Sequence, residues 1–128
     1  MALGRLDHVL VLVLTDDLDV TKNFYCEALG LEVGERPALE FPGYWLYLEG
    51  APCLHLAERA SYEAHAATLG LQVGAAVDHV AFSGAGYERF AARLEAAGVD
   101  AVTHTVPGLL QLFVTDPNGV RVEVNIPD

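Results

Sequence analysis

With 128 residues, 52% of them hydrophobic, the chain has enough apolar side chain for one packed domain or for two half-size modules sharing a core. Its 18 acidic against 7 basic residues give a formal net charge of −11, which repels nucleic acid and anionic lipid and excludes both as partners. The longest apolar run, Val9 to Leu14, is the size of a strand and too short to span a membrane. No basic-then-apolar leader opens the chain, so the expected location is the cytoplasm. Cys26 and Cys53 do not make a disulfide framework and read as buried free thiols.

In chain order, residues 6–14 read as a strand buried on both faces. Thr15 and Asp16 are placed to cap a helix running to about Leu29, and Gly30 ends it in a left-handed turn. Leu31 to Arg36 is a short strand, Pro37 to Gly43 a loop, Tyr44 to Leu48 a strand, and Cys53 to Ala57 another after a turn. Ser61 to Leu69 forms a short helix, followed by a Gly/Ala-rich connector over residues 70–76. The order then repeats. Val77 to Phe82 is a strand, Gly86 or Tyr87 to Ala97 a helix closed by Gly98, and Val99 to Thr103 an extended segment. Leu110 to Val114 is a strand, Asp116-Pro117-Asn118-Gly119 a tight turn, and Val120 to Ile126 the last strand. In that strand Val120, Val122, Val124 and Ile126 alternate with Arg121, Glu123 and Asn125, the period of a half-buried strand. The expectation is one α+β domain of two βαβββ modules, about 4–60 and about 77–128, with a linker of about 61–76.

Spacing shows that the repeat is real. Asp7-His8-Val9 recurs as Asp78-His79-Val80 at an offset of 71, and the helix-closing Gly30 recurs as Gly98 at an offset of 68. Gly30 to His55 and Gly98 to Glu123 are both 25 residues. His8 and His79 therefore hold equivalent places on first strands, and His55 and Glu123 equivalent places on last strands. Pseudo-symmetry allows the four to converge in one curved cup. Imidazole nitrogens and a carboxylate are ligands that zinc, iron, nickel and manganese accept.

The paired modules, the two Asp-His-Val triplets and the C-terminal LFVTDPNGVRVEVN make the chain resemble the vicinal oxygen chelate superfamily, which includes glyoxalase I, extradiol dioxygenases and bleomycin-binding proteins. That resemblance runs from Leu6 to Ile126. It implies a curled eight-stranded mixed sheet, a divalent metal held by His8, His55, His79 and Glu123, and a small substrate bound through two adjacent oxygens. Glu123 and His55 are then the expected catalytic groups. His8, His79 and Glu123 match the two-histidine, one-carboxylate set of iron(II) or manganese(II) oxygenases, with zinc or nickel as the lyase-type alternative. This favours dioxygenase-like chemistry over glyoxalase-type isomerisation, because His55 stands where the family usually has glutamate or glutamine. A tyrosine common in ring-cleaving members is Phe113 here. A metal-free binding protein is the third class. Small members commonly pair or swap modules, so a homodimer is expected, with the site within one chain or shared between two.

Other residues carry lesser expectations. Trp45 and Phe113 share the 68-residue offset and, with Tyr47, are sheet-packing aromatics that also border the pocket. His104 stands before a loop beside the cavity, and Arg121, the one cation on the ligand side of a predicted strand, is placed for a substrate carboxylate or the rim. His65 reads as a solvated surface residue. Asp7 and Asp78 read as structural, pointing away from the histidines they precede.

Overall fold

The structure, a computed structural model, describes residues 2–74 and 76–127. Ala75 of the expected connector lies outside the described residues, as do Met1 and Asp128. The first module runs β1 (Val9–Val13), α1 (Leu18–Asn23) continuing as a π-helical turn (Phe24–Ala28), β2 (Glu32–Gly34), β3 (Gly43–Leu48) and β4 (Ala51–Glu58). Helix α2 (Arg59–Thr68) follows. The second runs β5 (His79–Ser83), α3 (Tyr87–Ala96), β6 (Val102–Val106), β7 (Leu109–Thr115) and β8 (Arg121–Pro127). No helix among the described residues is long and apolar enough to cross a membrane.

The α+β class and the duplicated strand order stand. Each module forms a four-stranded mixed sheet of the same order, β1-β4-β3-β2 and β5-β8-β7-β6, in which the first strand is parallel to the last. The eight strands are thus divided between two sheets, and β1 and β5 are both edge strands. Gly30 and Gly98 adopt positive φ, 84° and 69°, and close the two helices as glycine permits.

Three local expectations are corrected. β1 is buried on one face only: Val11 and Val13 are buried while Leu10 and Leu12 stay half-open, because their face belongs to the site described below. The first helix is capped by Asp17, whose carboxylate accepts from the Asp19 amide, and not by Thr15 or Asp16. The sixth strand lies at Val102–Val106, later than the expected 99–103. There it pairs with β7 in a hairpin closed at Val106↔Leu109, and Val99 instead packs against the core.

One core joins the modules. Val11, Val13, Leu46, Leu54 and Leu56 from the first sheet and Leu112, Val114, Val122, Val124 and Ile126 from the second share it with Tyr25, Ala28 and Leu94 of the helical layer. Helix α3 packs on the π-helical turn, and the Arg93 guanidinium lies against Gly30. The 116–119 turn adds polar links. Asp116 is buried; one carboxylate oxygen accepts from the Asn118 and Val120 amides (2.7 and 2.9 Å), the other from the buried Tyr25 hydroxyl (2.7 Å). Burial and the adjacent Asp116 carboxylate push the Tyr25 pKa upward, so its hydroxyl stays the donor. Asn118 accepts from the Leu14 and Thr15 amides (2.7 and 3.1 Å) and donates to the Thr21 hydroxyl (2.7 Å). Since Leu54, Leu56, Val122 and Val124 point into this shared core, period-2 alternation turns His55 and Glu123 away from it, each on the outer face of its own sheet.

Asn118→Ala removes the three cross-module bonds of the Asn118 side chain. It is expected to lower the unfolding free energy by about 2 kcal/mol, read from urea melts. Tyr25→Phe should cost about 1–2 kcal/mol by the same measurement, since it strips Asp116 of its cross-module donor.

Candidate functional site

Strand register sets two equivalent rows of side chains on the outer faces. In the first module Leu10 pairs with His55, His55 with Trp45, and Trp45 with Gly34. In the second, Ala81 pairs with Glu123, Glu123 with Phe113, and Phe113 with Val102. His8 lies just before β1 and His79 opens β5, each on the same face as its partner on the last strand.

Within one protomer the four expected ligands form two separate pairs. Among the described residues no three His, Cys, Asp or Glu side chains gather around one point. His8 and His55 belong to one outer face, His79 and Glu123 to the other.

Asp7 and Asp78 do not point away from the histidines. Asp7 Oδ2 lies 2.8 Å from His8 Nδ1, and Asp78 Oδ2 lies 3.0 Å from His79 Nδ1. A carboxylate only accepts, so each Nδ1 carries a proton and is bonded to aspartate, the second bond that orients an imidazole whose Nε2 ligates a metal. The Asp7 carboxyl is held below its ordinary range chiefly by the His8 bond, and the Asp78 carboxyl by the His79 bond and then by Arg121. Arg121 is committed to this pair: its Nη1 is 3.0 Å from Asp78 Oδ2, and its side chain is exposed.

His55 is placed differently. Its ring is stacked between His8 (centroids 3.9 Å apart, planes inclined 11°) and Trp45 (4.1 Å, 8°), and its Nε2 donates to the Pro52 carbonyl at 3.0 Å. An imidazole ligates in its own plane. Two planes so nearly parallel do not meet within a bond length, so in this arrangement His8 and His55 do not share one ion. His55 is 8% exposed, and its pKa is lowered by that burial and by the neighbouring His8.

Glu123 is held by a chain of amides. His104 Nδ1 donates to Gln111 Oε1 (3.1 Å), and Gln111 Nε2 donates to Asn125 Oδ1 (3.2 Å) and, at a long 3.5 Å, to Glu123 Oε1. Asn125 Nδ2 donates to Glu123 Oε2 at 2.8 Å. His104 is therefore on the site face, though exposed. Trp45 and Tyr47 line a cavity of about 460 Å³ with Glu35, Arg36 and Pro37. Phe113 and Arg121 line another, of about 630 Å³, that reaches Phe24 and Pro117. His65 is not a solvated residue: it is half-buried on α2 with its ring centroid 5.3 Å from that of Phe41.

Sequence reasoning missed Gln111, the role of Asn125, and Arg36. The last stands two residues beyond β2, yet its guanidinium lies on the site face over Gly43, whose absent Cβ would sit 3.2 Å from Arg36 Nη2. The 68-residue offset carries the signal that would have found all three. It maps Arg36 onto His104, Gly43 onto Gln111 and Ala57 onto Asn125.

A family model described as the Glyoxalase/Bleomycin resistance protein/Dioxygenase superfamily matches residues 5–124. No curated protein matches the chain. Several solved structures share its fold. An antibiotic-binding protein from a Streptomyces species is 21% identical with a TM-score of 0.71, covering 100% of this chain and 99% of that one. A lactoylglutathione lyase from Agrobacterium tumefaciens is 21% identical with a TM-score of 0.69, covering 98% and 95%. A fosfomycin resistance protein from Listeria monocytogenes is 18% identical with a TM-score of 0.70, covering 99% and 96%.

The lowered His55 pKa has a thermodynamic consequence. In the unfolded chain this imidazole takes its proton near the ordinary value of 6.5, in the folded chain only at lower pH. In that window the unfolded state binds more protons, so stability falls as pH falls below about 6.5. Urea melts of metal-free protein at about pH 7.5 and about pH 5.5 should show the loss, and His55→Gln should shrink it. An undiminished difference in that variant would assign the effect to another group.

Proposed function

The chain belongs to the glyoxalase/bleomycin resistance protein/dioxygenase superfamily, and from that premise we propose a divalent-metal-dependent enzyme whose cup is completed by a second copy of itself. The observation that carries the reading is the pair of Asp-bonded histidines, His8 and His79, at equivalent places on faces turned away from the shared core. Each face offers part of a ligand set, and among the described residues neither gathers three such groups alone. Facing the His8 half of one copy, the His79–Glu123 half of another supplies two imidazoles and one carboxylate. The unpaired edges of β1 and β5, with Leu6 82% and Val77 77% exposed just ahead of them, are the surfaces such pairing would cover.

The donor chemistry fits a metal. Two imidazoles, each bonded to an aspartate through Nδ1, and one carboxylate form the set preferred by iron(II) or manganese(II), and zinc or nickel accept it too. When bound, such an ion supplies Lewis acidity and open positions for two adjacent oxygens of a small substrate. The chain's own groups do the rest. Asp7 and Asp78 hold the histidine tautomers, Asn125 and Gln111 fix the Glu123 carboxylate, and His55 buttresses the His8 ring. This arrangement supports dioxygenase-like chemistry over glyoxalase-type isomerisation, because His55 is packed between rings with one nitrogen occupied and is poorly placed as a mobile base.

One observation favours a second reading. The continuous stack of His8, His55 and Trp45 is also what a metal-free binding face would use to hold a small molecule. Metal analysis separates the two. Protein reconstituted with iron(II) or manganese(II) should retain about one ion per assembled site. Glu123→Ala should lose it, Asp78→Ala should weaken it about 10–100-fold, and His65→Ala should leave it unchanged. Failure to retain any ion would favour the binding protein. Oxygen uptake with catechols in the presence of iron(II) tests the dioxygenase reading, and consumption of a methylglyoxal–thiol adduct with nickel or zinc tests the lyase.

Sedimentation should show a dimer. A monomer that holds the ion as tightly would overturn the shared cup.

A further inference from the structure

The ring stack does not end at a wall. His55 covers one face of the Trp45 indole, and the rest of the half-buried ring lines the 460 Å³ cavity. Across the strand pair its neighbour on the side away from His55 is Gly34, whose missing side chain makes room for the Tyr47 ring. The Tyr47 ring lies over Gly34 and is tethered by its hydroxyl to the Glu35 carbonyl (2.7 Å), and Tyr47, Pro37 and Glu35 complete the lining with Arg36. A volume of this size suits a small organic ligand.

The cavity also has a cation held in place. Arg36 Nη2 donates to the Phe41 carbonyl at 2.7 Å, and the guanidinium sits 5.3 Å from the Phe41 ring, which is itself braced by Tyr62 and His65. Its Nε is buried without an acceptor, and among the described residues no carboxylate pairs with this guanidinium. In a chain of net charge −11, a half-buried arginine without an acidic partner marks a place for an anion from outside.

We infer that this cavity takes a planar aromatic carboxylate, its ring packed against the Trp45 and Tyr47 rings that line it and its carboxylate held by Arg36. The inference rests on reading this sheet face as the wall of the ligand cup, and it names the class of molecule the cup receives. Flatness is selected by those two rings, and negative charge by the guanidinium.

Trp45 is the chain's single tryptophan, so its emission reports on the slot directly. The probes are 2-naphthoate, its neutral analogue 2-naphthalenemethanol, and the non-planar anion cyclohexanecarboxylate. Titrated into the full-length protein, 2-naphthoate should quench Trp45 saturably, and each of the others should bind about 10-fold more weakly or worse. Arg36→Gln should bring 2-naphthoate down to the affinity of the alcohol while leaving the alcohol unchanged, which also shows that the variant is folded. Trp45→Leu, followed by calorimetry, should lose both aromatic probes. The same titration on Glu123→Ala in EDTA should retain 2-naphthoate binding. Loss there would assign the ligand to the metal and overturn the slot, whereas binding by a protein that never retains metal would overturn the enzyme reading and leave the slot standing. Equal binding of cyclohexanecarboxylate, no saturable quenching, or an unchanged acid-to-alcohol ratio in Arg36→Gln would each overturn the proposal.

Discussion

The Asp116 carboxylate is the constraint on which the arrangement depends. It is buried, and its two oxygens have different duties: one shapes its own turn through the Asn118 and Val120 amides, the other reaches Tyr25 of the first module. A buried carboxylate that lost either set of donors would pay the desolvation cost of an unmet acceptor, so the turn geometry and the docking of the modules are energetically one event. Asn118 repeats the logic with its amide side chain, accepting from the end of β1 and donating into α1. The modules are thereby joined through their apolar faces and helices. The polar faces that carry the histidines and Glu123 are left on the outside, where only another molecule can close them.

Duplication supplied one frame, and the two copies fill it with different chemistry. The first sheet has small residues at Gly43 and Ala57; the Arg36 guanidinium lies beside Gly43 and lines the Trp45 cavity. Any side chain at Gly43 would strike the Leu56 carbonyl, since a built Cβ comes to 2.1 Å from it. The equivalent places in the second sheet hold Gln111 and Asn125, whose side chains form a hydrogen-bonded ladder ending on Glu123. One wall of the proposed cup is therefore aromatic with a cation, and the other is an amide network fixing a carboxylate. A ligand held between them is read by stacking on one side and by polar contacts on the other.

Much of the fold was legible because it rests on local rules. The helix-closing glycines, the alternation of Val120 to Ile126 and the two Asp-His-Val triplets each declare an element or an equivalence at short range, and the strand orders agree with them. What short-range pattern does not carry is the direction in which a finished face points. That is decided by contacts such as Tyr25 with Asp116, far apart in the chain, and by Asn118, which looked like no more than a turn residue. The site was half legible for a related reason. Parity placed His55, Glu123, Trp45 and Phe113 on the outer faces of their sheets, but Arg36 lies past the end of its strand, where alternation no longer assigns a face. Asp7 and Asp78 were misread because alternation describes a regular strand, and these residues precede the regular part of β1 and β5. There the carboxylate is free to fold back onto the next ring.

His55 shows how a single position can change what a duplicated site does. A carboxylate there would have nothing to stack on and would reach for a cation. An imidazole instead has two flat faces, and between His8 and Trp45 both are covered, which buries the ring and disfavours its protonation. The Nδ1 lone pair lies in the plane while the contacts are made by the faces, so stacking and ligation compete for orientation. With Nε2 donating to Pro52 and both faces occupied, stacking wins in this structure. The gain is rigidity: the His8 ring is held on one side by the His55 face and at its Nδ1 by Asp7, leaving one nitrogen aimed outward. The imidazole at this position thus stiffens the neighbouring His8 ring and, through Trp45, links that ring to the cavity wall beside it.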